Sequence, residues 1–209
     1  MKKQLALAIA LAAASFGTLA GELSYNYIEG GYLRTDINNL GDGDGFAVNG
    51  SVALGEQFHL FGGYSMQDAS ESGVDIDLDA FRIGAGWNHA LGERVDFIAR
   101  AAYERSETDA SVADFGSIDG ETDGYSIEAG IRGLTSLDGD IEGWILGGFA
   151  DTNDVDVGGV SLQIDEEEDD QFYGRVGGQV KFNPTWGVVA EGMFAEDSHQ
   201  LFVGVRASF

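Results

Sequence analysis

In Phe172-Tyr173-Gly174-Arg175-Val176-Gly177-Gly178-Gln179-Val180-Lys181-Phe182, alternate residues sort into two unlike sets. One parity is apolar and begins and ends on a ring, Phe172 and Phe182; the other carries Arg175 and Lys181. Asn183-Pro184-Thr185 follows, and Trp186 to Phe194 repeats the pattern with rings at both ends of one parity and Glu191 on the other. Period-2 alternation marks a strand whose two faces meet different environments. The sole proline sits in the tight turn between these strands, where no ladder donor is lost.

Working outward, the same alternation predicts ten strands, at about 23–35, 45–55, 57–67, 79–90, 94–105, 123–135, 140–151, 171–182, 185–195 and 199–209. The connections alternate. Gly55-Glu56-Gln57, Leu91-Gly92-Glu93, residues 136–139 and Asn183-Pro184-Thr185 are short, whereas 36–44, 68–78, 106–122 and 152–170 read as longer loops. The connection near 196–198 is short although it belongs to the second set. No stretch approaches the ~18 apolar residues of a membrane helix. An even number of strands with short turns at one end and longer loops at the other predicts an all-β fold, a transmembrane antiparallel up-and-down β-barrel of ten strands, with eight as the alternative count.

The rings separate this fold from a water-soluble barrel or sandwich. With neighbouring strands running in opposite directions, Tyr64, Phe81, Tyr103, Tyr125, Phe149, Phe172 and Phe194 gather at the long-loop end. Phe58, Trp87, Phe97, Phe182, Trp186 and Phe209 gather at the short-turn end. Two aromatic girdles bounding an apolar band suit the two interfaces of a membrane. A soluble core has no reason to keep its rings at both rims.

The opposite parity carries Glu29, Arg82, Arg100, Glu104, Glu128, Arg132, Arg175, Lys181, Glu191 and Arg206, so these ten charges are expected inside. Small neighbours such as Gly86 and Gly177 leave room for long side chains. Two readings stand: a charged pore, or a lumen plugged by ion pairs that satisfy one another.

The chain has 209 residues, with 36 acids, 11 bases, no cysteine and a net charge of −25. Absent cysteine excludes disulfides and thiolate metal sites, and the acidity opposes binding to a nucleic-acid phosphate backbone. Lys2 and Lys3, the apolar run from Leu5 to Ala13 and the ending Thr18-Leu19-Ala20 predict a signal peptide over residues 1–20, cut between Ala20 and Gly21, ahead of a barrel domain at 21–209. At the other end, Leu201, Val203, Val205, Ala207 and Phe209 form an apolar parity ending on a ring. Strand addition by the barrel-assembly machinery would read such a terminus.

The stretches Glu22 to Tyr32, Gln57 to Tyr64, Tyr125 to Arg132 and Phe172 to Gly187 resemble small outer-membrane barrels of xanthomonads and relatives, a family once proposed to activate a rice immune receptor. The likeness runs from the signal to the last strand and is better over strands than loops. It implies the barrel fold and an outer-membrane location in a Gram-negative cell. Outer-membrane lipid, lipopolysaccharide, the assembly machinery and periplasmic chaperones are then the expected partners; the sequence names no surface ligand.

The outer connections hold 25 acids against one base, Arg105. They read either as solvated, mutually repelling loops or as sites for divalent cations, with Asp75, Asp77 and Asp79 on one face as the candidate ligands. No other cofactor is expected. Val155-Asp156-Val157 and Val160-Ser161-Leu162-Gln163-Ile164 alternate about Gly158-Gly159 as a hairpin, followed by the acidic run from Glu166 to Asp170. Three function classes remain: a structural or surface-interaction barrel, a narrow pore, and an outer-membrane enzyme, for which only His199 in Glu196-Asp197-Ser198-His199 lies at the outer rim.

Overall fold

The computed structural model describes residues 23–37, 41–71, 74–112, 116–136, 138–157, 160–162 and 170–209. The signal segment with its cut between Ala20 and Gly21 lies outside them, as do Ile164 and the run from Glu166 to Asp169. The strands are β1 (Tyr27–Ile37), β2 (Gly41–Leu54), β3 (Phe58–Glu71), β4 (Val74–Ala90), β5 (Val95–Val112), β6 (Gly116–Leu134), β7 (Ile141–Val157), β8 (Val160–Leu162), β9 (Asp170–Lys181), β10 (Trp186–Ala195) and β11 (Ser198–Ser208).

Every pairing is antiparallel. β1 lies between β2 and β11, and β6 pairs with β7, so the sheet closes on itself. Ten strands form the wall. Among the described residues the short β8 pairs with the tip of β7, Val157 opposite Val160; the turn expected at Gly158-Gly159 lies outside them. Closure gives each of the ten wall strands two neighbours and leaves no edge in the apolar layer, the condition for crossing a membrane with strands.

At the short-turn end the local chemistry is legible. Gly55 and Gly139 adopt φ of 75° and 77°, a region where a Cβ is strained. In the Pro184 turn, the Asn183 side-chain oxygen accepts from the backbone N–H groups of Thr185 and Trp186 at 3.0 and 2.8 Å.

The other end differs from expectation. Much of 68–78 and 106–122, expected as loops, is strand: β3 reaches Glu71, β4 starts at Val74, β5 reaches Val112 and β6 starts at Gly116. Turn-forming residues are frequent there, yet Asp75, Asp77 and Asp79 still alternate with Ile76 and Leu78. The ladder continues because register, once set below, propagates upward and each added residue satisfies backbone groups whatever its side chain.

The girdle rings point outward. Phe172 is 76% exposed, and Tyr64 faces Phe81, Tyr103 faces Tyr125 and Phe149 faces Phe172 across the strands. Phe58, Trp87, Phe182 and Trp186 are exposed at the lower rim, while Phe97, on the same outward parity, and the terminal Phe209 are half-covered. The pair Tyr32 and Phe46, the latter 66% exposed, adds two rings to the upper girdle. On β11, Leu201, Val203 and Val205 are exposed, but Ala207 is only 8% exposed beside its cross-strand partner Trp186.

Inside, Leu33, Ile98, Leu146, Val189 and Phe202 form a small apolar cluster. The glycines there are spaces for neighbours. A Cβ on Gly86 would lie 2.2 Å from the His59 ring, and one on Gly177 2.5 Å from the Trp144 indole.

Candidate functional site

The lumen charges form two linked networks. In the upper one Glu128, buried on β6, accepts from Arg100 of β5 at 3.2 Å and from the Tyr173 hydroxyl at 3.1 Å, with Arg175 and Arg82 at 3.4 and 3.5 Å. Arg82 also meets Glu104 at 2.9 Å, and Arg175 meets Glu191 at 2.5 Å. Glu191 takes a further bond from the Trp144 indole at 2.7 Å. Arg100 and Glu128 are direct cross-strand partners, so register alone brings them together.

The lower network is centred on a residue that the sequence reading left out. Glu142 is buried at the start of β7, 2.8 Å from Arg132 and 3.1 Å from Arg206. Arg206 also binds Glu29 at 2.6 Å and lies over the rings of Tyr27 and Trp144. The inward parity of β7 was available, but Trp144 and Leu146 beside Glu142 made that face look apolar. Lys181 shares the inward parity at this end and is half-buried. Burial of so many charges is tolerable only because each carboxylate meets at least one guanidinium.

Residues 23–26, read from the sequence as the start of strand one, instead turn into the short-turn mouth. The Tyr25 ring stacks on His59 at 4.7 Å, lies under Arg132, and its hydroxyl donates to Asp96 at 2.9 Å. Arg132 also donates to the Ser24 carbonyl, and the Ser24 hydroxyl donates to the carbonyl of Phe209. Ser24 and Tyr25 thus pack into the short-turn mouth of the barrel and tie it to the terminal Phe209. The histidines are engaged with rings: His59 with Tyr25, His89 with Trp87 and His199 with Phe194.

A charged interior and a belt of exposed Leu, Ile, Val and aromatic side chains outside invert the arrangement of a water-soluble protein and match a wall facing lipid. A family model described as the outer membrane protein beta-barrel domain matches residues 5–135. The chain belongs to that family. Its location is therefore the outer membrane. The beta domain of the Bordetella autotransporter BrkA shares the fold, with a TM-score of 0.50 at 13% identity over 90% of this chain and 100% of that one. Neisserial surface protein A is similar at TM-score 0.48 and 13% identity, covering 89% and 98% of the two chains. Ail, the attachment invasion locus protein of Yersinia pestis, is similar at TM-score 0.45 and 12% identity, covering 90% and 100%. No curated protein matches the chain significantly.

Above the upper girdle, this outer-membrane barrel carries an acidic outer wall. Asp68, Asp77, Asp109 and Asp119 stand directly opposite one another across β3, β4, β5 and β6, all exposed. The row below holds Asp79, Glu107 and Glu121 in the same register. Arg105 binds Glu121 at 2.5 Å, Arg34 binds Asp42, and Asp75 accepts from Ser70 at 2.6 Å. Asp75, Asp77 and Asp79 share the outward face, but at two-residue spacing along a strand they form a column rather than a cage. Among the described residues no group of three acids or histidines closes around a single ion.

Like charges set opposite one another raise the affinity for protons. The Asp77 carboxyl is pushed above its ordinary value by sharing a hydrogen bond with Asp68, and Asp109 is pushed up in the same way by Asp119. A carboxyl whose folded pKa is raised contributes stability that is complete below the unfolded value, 3.8, and is lost as pH rises through the folded value. Lowering the pH from 7 toward 4 is therefore expected to raise the urea midpoint of the refolded barrel. Changing Asp77 and Asp109 together to Asn should raise the midpoint at pH 7 and flatten its rise on acidification. An unchanged pH slope in that variant would remove the wall as its origin.

Proposed function

We propose that this chain is a non-enzymatic barrel acting at the cell surface as a structural or interaction protein, with a lumen closed by ion pairs and not open to flow. The observation that carries the reading is the joined plug of Glu128 and Glu142 with their five arginines, sealed below by Tyr25. The acidic wall is the surface presented outward, and divalent cations bridging its cross-strand carboxylates, in contact with lipopolysaccharide phosphates, belong to the same proposal. So do export by the 1–20 signal, delivery by periplasmic chaperones and the assembly machinery, and any receptor-directed role suggested by the xanthomonad resemblance, which rests on the strand sequences.

Two measurements test this. The refolded barrel in planar bilayers is expected to be silent; steady, ion-selective steps would replace the closed reading with that of a narrow diffusion pore. Calcium or magnesium is expected to raise thermal stability more than sodium at matched ionic strength, because screening alone supplies no oxygen coordination. That excess should largely disappear when Asp77 and Asp109 are Asn. No excess in the native barrel would leave the wall as solvated, mutually repelling carboxylates.

A further inference from the structure

The wall stands at unequal heights above the upper girdle. β5 runs nine residues past Tyr103 to Val112, ~30 Å of strand at ~3.4 Å per residue, whereas β10 ends one residue past Phe194 and turns at Glu196-Asp197. β3, β4 and β6 rise beside β5, so a four-stranded sheet stands over one side of the mouth. Its outward face is the acidic wall. On the opposite parity, that of Arg82 and Glu104, three cross-strand rows climb without a charge. Ser65, Ala80, Ser106 and Thr122 form the lowest and line the vestibule at the top of the lumen. Gln67, Leu78, Thr108 and Gly120 come next, and Ala69, Ile76, Ala110 and Ile118 are the highest. Ile118 is 60% exposed, and Ile76, Leu78 and Ala110 are half-covered. Contiguous apolar surface that faces water inside a polar rim marks a place where something docks.

The rim selects the sign of what docks. The bases lining the vestibule, Arg82, Arg105 and Arg175, are each paired with a carboxylate, and so is Arg34 beside it. Among the described residues no ion pair holds Asp77 or Asp109 on the back of the raised sheet, nor Glu196 or Asp197, both exposed on the low rim across the mouth. We propose that the uncharged inner face of the raised sheet, within this acidic rim, is a docking surface for a cationic amphipathic peptide segment of a partner protein. The apolar side chains of the segment lie on Ile76, Leu78 and Ile118, and its lysines or arginines face the rim. Anionic partners are opposed by the same field. The inference deepens the surface-interaction reading and rests on it. Steady conductance would sink the closed-lumen reading without touching peptide binding, and absent peptide binding leaves the closed lumen standing.

The probe is a fluorescent peptide of alternating lysine and leucine, titrated into the complete refolded barrel in phosphatidylcholine nanodiscs, with empty nanodiscs as the blank. Saturable binding above the blank is expected. Leu78→Asn and Ile118→Asn together are expected to weaken it about tenfold or more, through the loss of two apolar contacts. Both positions stand above the girdle and outside the ion-pair networks, so the variant should keep the native heat-modifiable migration. Peptides with serine in place of leucine, or serine in place of lysine, should each bind the native barrel about tenfold more weakly. Three results overturn the proposal: no saturable binding; undiminished binding by the folded double variant, which means attachment to the acidic wall alone; or equal binding of the lysine-free peptide, which means an apolar site indifferent to charge. Should the double variant fail to fold, the two control peptides on the native barrel decide.

Discussion

Replacing Glu128 with alanine is expected to cost about 3–5 kcal/mol of folding free energy, the usual penalty for stripping one partner from a buried ion pair. Three guanidinium groups depend on this carboxylate, Arg82, Arg100 and Arg175, and it is buried in the lumen wall. Without it they repel one another in a space with little water. Arg100→Ala should cost less, because Glu128 keeps two of its three cations. The double change should cost less than the sum of the single ones, with a coupling of about 0.5–3 kcal/mol between cross-strand partners. Urea titrations in detergent micelles, followed by the mobility difference between boiled and unboiled samples, measure all three variants. Strict additivity would mean that the two side chains do not share a network, contrary to their 3.2 Å contact.

A change at Phe209 is expected to strand most of the exported protein in the periplasm. Two roles meet at this residue, and two variants separate them. Its backbone N–H donates to Asn26 and its carbonyl accepts from Ser24, so deletion unties the chain end from the barrel floor. Phe209→Asp keeps those backbone bonds and removes only the ring from the apolar terminal parity. If assembly reads that parity by strand addition, Phe209→Asp should refold in detergent like the native chain yet leave only a minor heat-modifiable fraction in cells. Native amounts of folded protein in cells carrying Phe209→Asp would falsify the assembly role.

The faces of the strands were legible because membrane and lumen impose opposite demands on adjacent residues. Phe172 and Phe182 at the ends of one parity, with Arg175 and Lys181 on the other, are enough to say which side meets lipid. The short turns were legible for an equally local reason, since Gly55, Gly139 and Asn183 each perform a conformational task within a few residues. Strand height was not. Asp and Gly are loop signals only where no neighbouring strand offers a ladder, and the strands below had already aligned β3 to β6.

The sequence by itself determined a closed all-β wall, its lipid-facing and inward parities, and the acidity of its outer end, because each follows from a pattern with a period of two residues. Parity on sequential strands already put Arg100 and Glu128 in one interior network, and only the tertiary structure decided which inward charges from more distant strands join them. Glu128 gathers arginines from β4, β5 and β9, and Glu142 gathers Arg132 and Arg206 from β6 and β11. Those meetings depend on the stagger accumulated around the closed sheet and on side chains crossing the lumen, quantities set by all ten strands together. The turn of Tyr25 into the mouth is likewise a tertiary decision, since its partners His59, Asp96 and Arg132 lie on β3, β5 and β6, more than 30 residues along the chain.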